Sequence, residues 1–199
     1  MGLMLIPFPD APIPAKIDWS IDQPGQSNRG EFTGRRRVTL LTAAPRIYAK
    51  VTLPEIRGER QIEAWRAFVF DCDGIANRFR VVAVERDQIT GVDVRVAGGG
   101  QGGHTLMTTG WGAAGQKLRR GQFFTVGEQL VCLQAPVVAD GDGRALLTFK
   151  PYLRLIPADG AQLEVRRPYA IMSMSDPKNG WAVDIGQKYD VAFDCEEAF

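Results

Sequence analysis

Apolar residues recur at every second position in several short stretches of this chain. In Lys16–Asp22, Ile17, Trp19 and Ile21 share one face, and in Arg46–Leu53 the set Ile47, Ala49, Val51 and Leu53 does the same. Period two is the signature of a strand with one buried face. Arg35–Leu41 and the β-branched run Phe79–Val84 predict two further strands, and Gln23–Gly30 reads as a turn region. A different period holds over Glu59–Asp71. There Ile62, Trp65, Phe68, Val69 and Cys72 return about every 3.6 residues against Glu59, Glu63 and Arg66, which predicts the one clear helix, ended by Asp73-Gly74.

Beyond residue 85 the texture changes. Val92, Val94 and Val96 predict a short strand, and Ala97–Gly103 (AGGGQGG) has the composition of a joint or mobile loop. From 104 to about 167 the pattern is strands and turns alone: Thr105–Thr109, Gln122–Val126, Gln129–Val138, Arg144–Phe149 and Gln162–Val165. Asp140-Gly-Asp-Gly143 between two of them is a hairpin signal, because Asp-Gly readily supplies positive φ angles. Ala158-Asp159-Gly160 marks another turn, and spacing near ten residues predicts a small barrel or sandwich. Ala170–Ser175, Trp181–Asp184 and Lys188–Phe199 return to strand patterns at the end. Residues 1–15, with prolines at 7, 9, 12 and 14, form an extended arm that cannot be helical. It reads as a frayed terminus or as an arm docked on a neighbouring subunit, since Leu3, Leu5, Ile6 and Phe8 would otherwise sit in water.

Composition narrows the chemistry. The 199 residues hold 24 Lys+Arg against 23 Asp+Glu, so the chain lacks the basic excess of a nucleic-acid or anionic-membrane binder. Twenty-two glycines and twelve prolines argue against a mostly helical protein. His104 is the sole histidine, and Cys72, Cys132 and Cys195 are far apart with no CxxC, so zinc-ribbon and thioredoxin-type sites have no basis. We expect no metal, no cofactor and no catalysis. Sparse, odd cysteines suit a reducing cytoplasm. Met1–Phe8 is too short and lacks the basic start of a signal peptide, and no run approaches a membrane span, so a soluble chain is expected.

Each sharper motif has a plainer reading beside it. Gly98-x-Gly100-x-x-Gly103 formally matches the dinucleotide fingerprint, but His104–Gly110 is a poor helix and leaves no N-terminus for a pyrophosphate. Asp140, Asp142 and Asp159 are too few oxygens for calcium and suffice for turns. Asp71 and Asp73 beside Cys72 read as solvated charges at a helix end, and Cys72 as core. The basic clusters Arg35-Arg36-Arg37 and Arg119-Arg120 suit ion pairs across a protein interface or simple solvation. Trp111 between glycines and Trp181 after Asn179-Gly180 are candidate interface anchors, sugar platforms or core plugs.

A family resemblance then enters. The runs Gly115–Val126 (GQKLRRGQFFTV), Gln129–Leu133, Val137–Leu147 (VVADGDGRALL), Lys150–Arg154 (KPYLR) and Pro157–Ala161 (PADGA) resemble minor tail proteins of long-tailed (siphovirus-type) phages and prophages. That family is similar to the distal tail protein, which sits between tail tube and tip. Ile17–Trp19, Val51–Pro54, Ala64–Trp65 and the closing Asp194–Phe199 fit it too, so the likeness spans nearly the whole chain.

The resemblance implies a mainly β fold with one clear helix. It implies an arm over residues 1–15, a tail-tube-like β-barrel or sandwich domain over 16–88 plus 168–199 with the helix at about 59–71, and an inserted small β-barrel domain over 89–167. It implies a structural protein of the virion without enzymatic activity, assembled in the bacterial host cytoplasm and placed at the distal end of the tail. There a homo-oligomeric ring, six-fold like the tube, would join the tail tube protein to hub and receptor-binding proteins. DNA would cross the lumen without specific binding, and nothing would insert in a membrane. Interaction would fall to Leu3, Leu5, Phe8, Arg35, Arg36, Arg37, Trp111, Arg119, Arg120 and Trp181. A second reading is a carbohydrate-binding module of the tail tip that contacts host glycans through Trp111, Trp181 or Tyr152; a cell-wall hydrolase is disfavoured for want of paired ligands.

Overall fold

The structure is a computed structural model that describes residues 4–40 and 45–198. Leu3, Leu41 and Phe199, which the sequence places in the arm and at two strand ends, lie outside the described residues. The fold is mainly β with one helix. The chain forms two compact units: one runs to Phe79 and resumes at Met172, and the other holds Arg80–Ile171.

The first unit opens with β1 (Leu5–Ile6), β2 (Lys16–Asp22), β3 (Gly25–Arg29), β4 (Arg36–Leu40), β5 (Arg46–Thr52) and β6 (Ile56–Arg57). Then come α1 (Glu59–Asp71) and β7 (Arg78–Val82), along which the chain passes into the second unit. That unit contributes β8 (Arg95–Val96), β9 (Gly103–Thr109), β10 (Gly115–Leu118), β11 (Phe123–Val126), β12 (Gln129–Leu133), β13 (Val137–Ala139), β14 (Ala145–Leu153) and β15 (Leu163–Glu164). The chain returns along β16 (Tyr169–Met174) to β17 (Ala182–Asp184), β18 (Lys188–Asp190) and β19 (Ala192–Glu197).

Three sequence expectations are corrected here. Gln23–Gly30 is a strand for most of its length, because β3 pairs with β4 from Gly25↔Leu40 to Arg29↔Arg36. Val92–Val96 is strand only over Arg95–Val96, although Val94 and Val96 are both buried. Gln129–Val138 is two strands, β12 and β13, in different sheets. The strand β10 carried no alternation that could have announced it.

In the first unit, β2 pairs with β5 through Ile17↔Val51, Trp19↔Ala49 and Ile21↔Ile47, so the alternating residues of both strands fall on one face. Ile47, Ala49 and Val51 are buried there. The helix covers an aromatic cluster in which Trp65, Phe68, Phe79 and Phe193 pack edge-to-face or tilted within 6.2 Å of one another along a chain of ring contacts. Ile62, Trp65 and Phe68 are its buried residues, followed by the buried cap residue Cys72; Val69 is half-buried. At its end Asp73 (φ 47°) and Gly74 (φ 68°) turn out of helical geometry, and the buried Asn77 amide donates to the free Asp71 carbonyl at 2.7 Å.

The arm lies on its own chain, which corrects the expectation of a neighbouring subunit. β1 pairs in parallel with β7, Ile6 is buried, and the Phe8 ring stands 5.2 Å from Trp65 and 5.4 Å from Phe68. Ile6 and Phe8 are thereby taken out of water by the aromatic cluster, and they require no second surface.

The second unit is a nearly closed barrel. Its sheet runs β15-β11-β12-β14-β9-β8. An Arg95↔Gln162 bridge and the bonds Val96 N–H to Ala161 O (2.9 Å) and Leu163 N–H to Val94 O (2.9 Å) join the last strand back to the first. Along β14 the burial alternates strictly, with Ala145, Leu147, Phe149 and Leu153 inside. Residues 97–102 are the β8–β9 connection within this unit rather than a joint between units, and Gly103 opens β9. The connection is held by the Gln101 amide, which donates to Ala97 O at 2.8 Å and accepts from Met107 N–H at 2.6 Å.

Candidate interaction surfaces

The expected interaction residues scatter. Trp111 is fully buried in the barrel core, and its indole N–H donates to Thr108 Oγ1 at 2.8 Å. Thr108 in turn donates to Ala145 O at 2.8 Å, so both polar atoms are satisfied inside. This corrects Trp111 as an interface anchor or sugar platform: its side chain has no surface left for a partner. The neighbouring glycines serve that burial. A Cβ on Gly110 (φ 91°) would stand 1.9 Å from Asp93 O, and one on Gly143 would stand 2.9 Å from Gly112 O. Phe8 is likewise committed to its own core, while Leu5 remains 42% exposed.

Arg119 and Arg120 stand exposed on the β10–β11 turn, which is closed by Gln122 Oε1 accepting from Arg119 N–H at 2.6 Å. Tyr152 is half-buried, edge-on to His104 at 6.0 Å between ring centres. On the barrel exterior, Met107, Val138 and Leu146 line an open hollow of about 670 Å³ with Asp140 and Arg144.

Arg35, Arg36 and Arg37 belong to the β3–β4 hairpin, the most exposed element of the first unit. Every residue of Gly25–Arg29 and 30–39 is exposed. The hairpin is a two-stranded sheet on its own. Such a ribbon buries too little apolar surface to be more than marginally stable alone. Its pairing also places Arg29 directly opposite Arg36, a like-charge pair that opposes the hairpin. Arg36 Nε donates to Ser27 Oγ at 2.8 Å, but Arg29, Arg35 and Arg37 form no ion pair among the described residues. The tip is a tight loop in which Gly34 N–H bonds Gly30 O (2.9 Å) and Gly30 N–H bonds Arg35 O (3.1 Å). Phe32 projects from it with its whole surface in water (101% exposed) and no ring contact among the described residues.

Trp181 is half-buried on the opposite kind of surface, a groove of about 450 Å³ lined by Val69, Phe70, Asp73, Gly74, Asn179 and Gly180 besides itself. Phe70 is 71% exposed and stands 6.2 Å from the Trp181 ring. The Arg66 guanidinium lies 5.4 Å from the Trp181 ring and 5.0 Å from Tyr189, which braces the indole by cation–π contact. Asp73 Oδ2 accepts from the Asn77 amide at 3.2 Å, and Asn179 donates to Asp176 O. Sequence reading missed Phe32, Phe70 and Arg29, and it took Arg66 for a polar-face residue only. Phe70 could have been found as the one aromatic off the buried stripe of α1, and Phe32 as the lone apolar residue between Gly30 and Gly34.

In the sheet ordered β1-β7-β16-β19-β5-β2, β2 is an edge strand and hydrogen-bonds β5 alone. Beside it, Trp19, Ala49 and Cys195 line a hollow of about 390 Å³ rimmed by Asp18, Lys50 and Asp194.

The two buried cysteines, Cys72 and Cys195, are held protonated. Burial pushes the Cys72 thiol up to about 12, helped by Asp71 and Asp73, and pushes Cys195, whose Sγ donates to Ala49 O at 3.2 Å, up to about 12 as well. A thiol that stays protonated is a poor nucleophile and metal ligand. Among the described residues no group of three His, Cys, Asp or Glu could hold a metal, and no helix is long and apolar enough to cross a membrane. Comparison with known proteins finds no family model and no curated protein that matches the chain.

Proposed function

We propose that this chain is a structural subunit of the phage tail tip, a distal tail protein. It would form a six-subunit ring between the tail tube and the hub and receptor-binding proteins. The observation that carries the reading is the β3–β4 hairpin: an exposed, arginine-opposed ribbon ending in a fully exposed phenylalanine. A ribbon whose residues 25–39 all stay exposed gains most of its stabilisation by docking on something else. The open β2 edge, with Ile21 at 47% exposure, and the exposed Val183 and Ile185 in and beside β17 supply further unpartnered surface of the kind subunits cover. The sequence resemblance supplies the location in the virion, and the near-neutral charge suits a bore that DNA must cross without being retained.

The test is cryo-electron microscopy of the assembled particle. The expected result is this chain as a six-fold ring at the tip end of the tail tube. Finding it in the capsid, or as a single copy on the tail axis, overturns the proposal.

A further inference from the structure

We infer that the tip of the β3–β4 hairpin is a plug for the Phe70–Trp181 groove of a second copy of this chain. The inference rests on the ring reading above and gives that ring its contact between subunits.

Three observations meet in it. The first is matched shape and polarity. Phe32 is an aromatic knob with no ring contact among the described residues of its own chain. The groove is lined by the Phe70 and Trp181 rings, which touch edge-on at 6.2 Å, and by Gly74 and Gly180, and it is open to solvent. A phenylalanine laid in the groove against this ring pair takes its own ring and the exposed Phe70 ring out of water and allows edge-to-face packing, the kind of anchor that dominates interfaces.

The second is charge. The hairpin carries Arg29, Arg35, Arg36 and Arg37 against Glu31 alone. Asp73 lines the groove, with Asp71 and Asp176 close in sequence to its walls, against the cations Lys178 of the adjoining 175–180 loop and Arg66 on the Trp181 ring, so the groove side keeps an acidic excess. The arginines that burden the hairpin when it stands alone would meet carboxylates when it docks. The Arg29–Arg36 opposition is thereby explained: it disfavours the free hairpin and is relieved by the partner.

The third is the bracing of Trp181. Arg66, stacked on both Trp181 and Tyr189, holds the indole in place before any partner arrives. A wall that is already ordered loses less entropy on binding.

Because knob and groove are different surfaces, the contact is heterologous. Each copy offers its hairpin to the next and its groove to the previous one, so the contact propagates and closes into a ring at the right rotation.

The experiment is directed cross-linking. In a Cys132→Ser background, which removes the one thiol that is not buried, Thr33→Cys and Lys178→Cys chains are prepared separately, so that Phe32, Phe70 and Trp181 all stay in place beside the exposed new thiols. They are then treated with a short bis-maleimide, alone and mixed, at protein concentrations up to the millimolar range. The mixture is expected to yield a covalent dimer that neither chain yields alone. Phe32→Ser is expected to abolish self-association in sedimentation while leaving the melting temperature unchanged, and association of the parent is expected to weaken as salt rises. No mixed dimer, or a dimer formed by the Thr33→Cys chain alone, overturns the inference. So does protection of the thiol of the Lys178→Cys chain by a peptidoglycan digest without any mixed dimer, which would assign the groove to a glycan. The ring reading fails separately. A six-fold ring at the tail tip whose 33 and 178 positions do not cross-link keeps that reading and removes this contact. A 33–178 dimer from a chain found outside the tail does the reverse.

Discussion

Two turns of this molecule are built from similar materials and behave differently; the first, expected as a hairpin, instead joins β13, which pairs with β10, to β14, which pairs with β12 and β9. Both turn on glycine-rich loops with an acidic residue, Asp140–Gly143 between β13 and β14, and 30–35 between β3 and β4. In the first, Asp140 Oδ1 accepts from Asp142 N–H at 3.0 Å and from Arg144 N–H at 2.8 Å, and the flanking strands put Ala139, Ala145 and Leu147 into the barrel core. In the second, residues 25–39 stay exposed, and two arginines face each other across the ribbon. A turn motif is therefore equally good at closing a folded barrel and at presenting a projecting arm. What separates the two is whether the strands beyond the turn have a second layer to pack on, and that decides which turn serves stability and which is left for association.

The comparison is open to being broken, first at the barrel core. Trp111→Ala is expected to cost about 3–5 kcal/mol, as truncation of a fully buried aromatic does, with the loss of its bond to Thr108 included. Chemical denaturation checks this, and an unchanged midpoint would mean that the barrel is not the stable region described. Trp65→Ala should cost as much in the first unit, since Trp65 is also fully buried and its ring contacts reach Phe8, Phe68 and Phe193.

A smaller effect is expected from pH. The unfolded Cys195 thiol ionises near its ordinary value of 9.0, whereas the folded one does so near about 12. Above pH 9 the unfolded state therefore binds fewer protons, and stability that is fully present below pH 9 is lost as pH rises toward 12, at about 1.4 kcal/mol per pH unit for this thiol. The measurement is the difference in denaturation midpoint between the parent and Cys195→Ala at about pH 8 and about pH 10.5, either side of the unfolded ionisation. The parent should lose its advantage as the pH rises, and a constant difference would show that the thiol is not held protonated.

Smaller again, Asp140→Ala removes two side-chain bonds to backbone at an exposed turn and is expected to cost about 1–2 kcal/mol, read from the same denaturation midpoint. Its counterpart, Arg36→Ala in the exposed hairpin, should leave the melting temperature where it is or raise it slightly, since it removes the Arg29 opposition. A clear loss of stability there would mean that the hairpin is packed against its own chain.

The alternation of Ile17, Trp19 and Ile21, and of Ile47, Ala49 and Val51, was enough to place β2 and β5, because a period of two gives a strand one apolar face for a sheet to bury. The helix was equally plain, since Ile62, Trp65, Phe68 and Cys72 return at about 3.6 residues and Asp73-Gly74 does not continue a helix. These are local properties: a few neighbouring residues carry them whatever the rest of the chain does. Where the elements go is not local. Trp111 and Trp181 both follow a glycine, yet one is sealed in a barrel and the other walls an open groove; only the approach of Asp93 and Gly112 to the Gly110 and Gly143 backbones decides that. Likewise β3 has no alternation and exists because β4 is there to pair with it, and the arm is ordered because the Phe8 ring meets Trp65 and Phe68. Periodicity reports which face of an element is apolar; the tertiary structure determines whether that face is covered by the same chain or left for another.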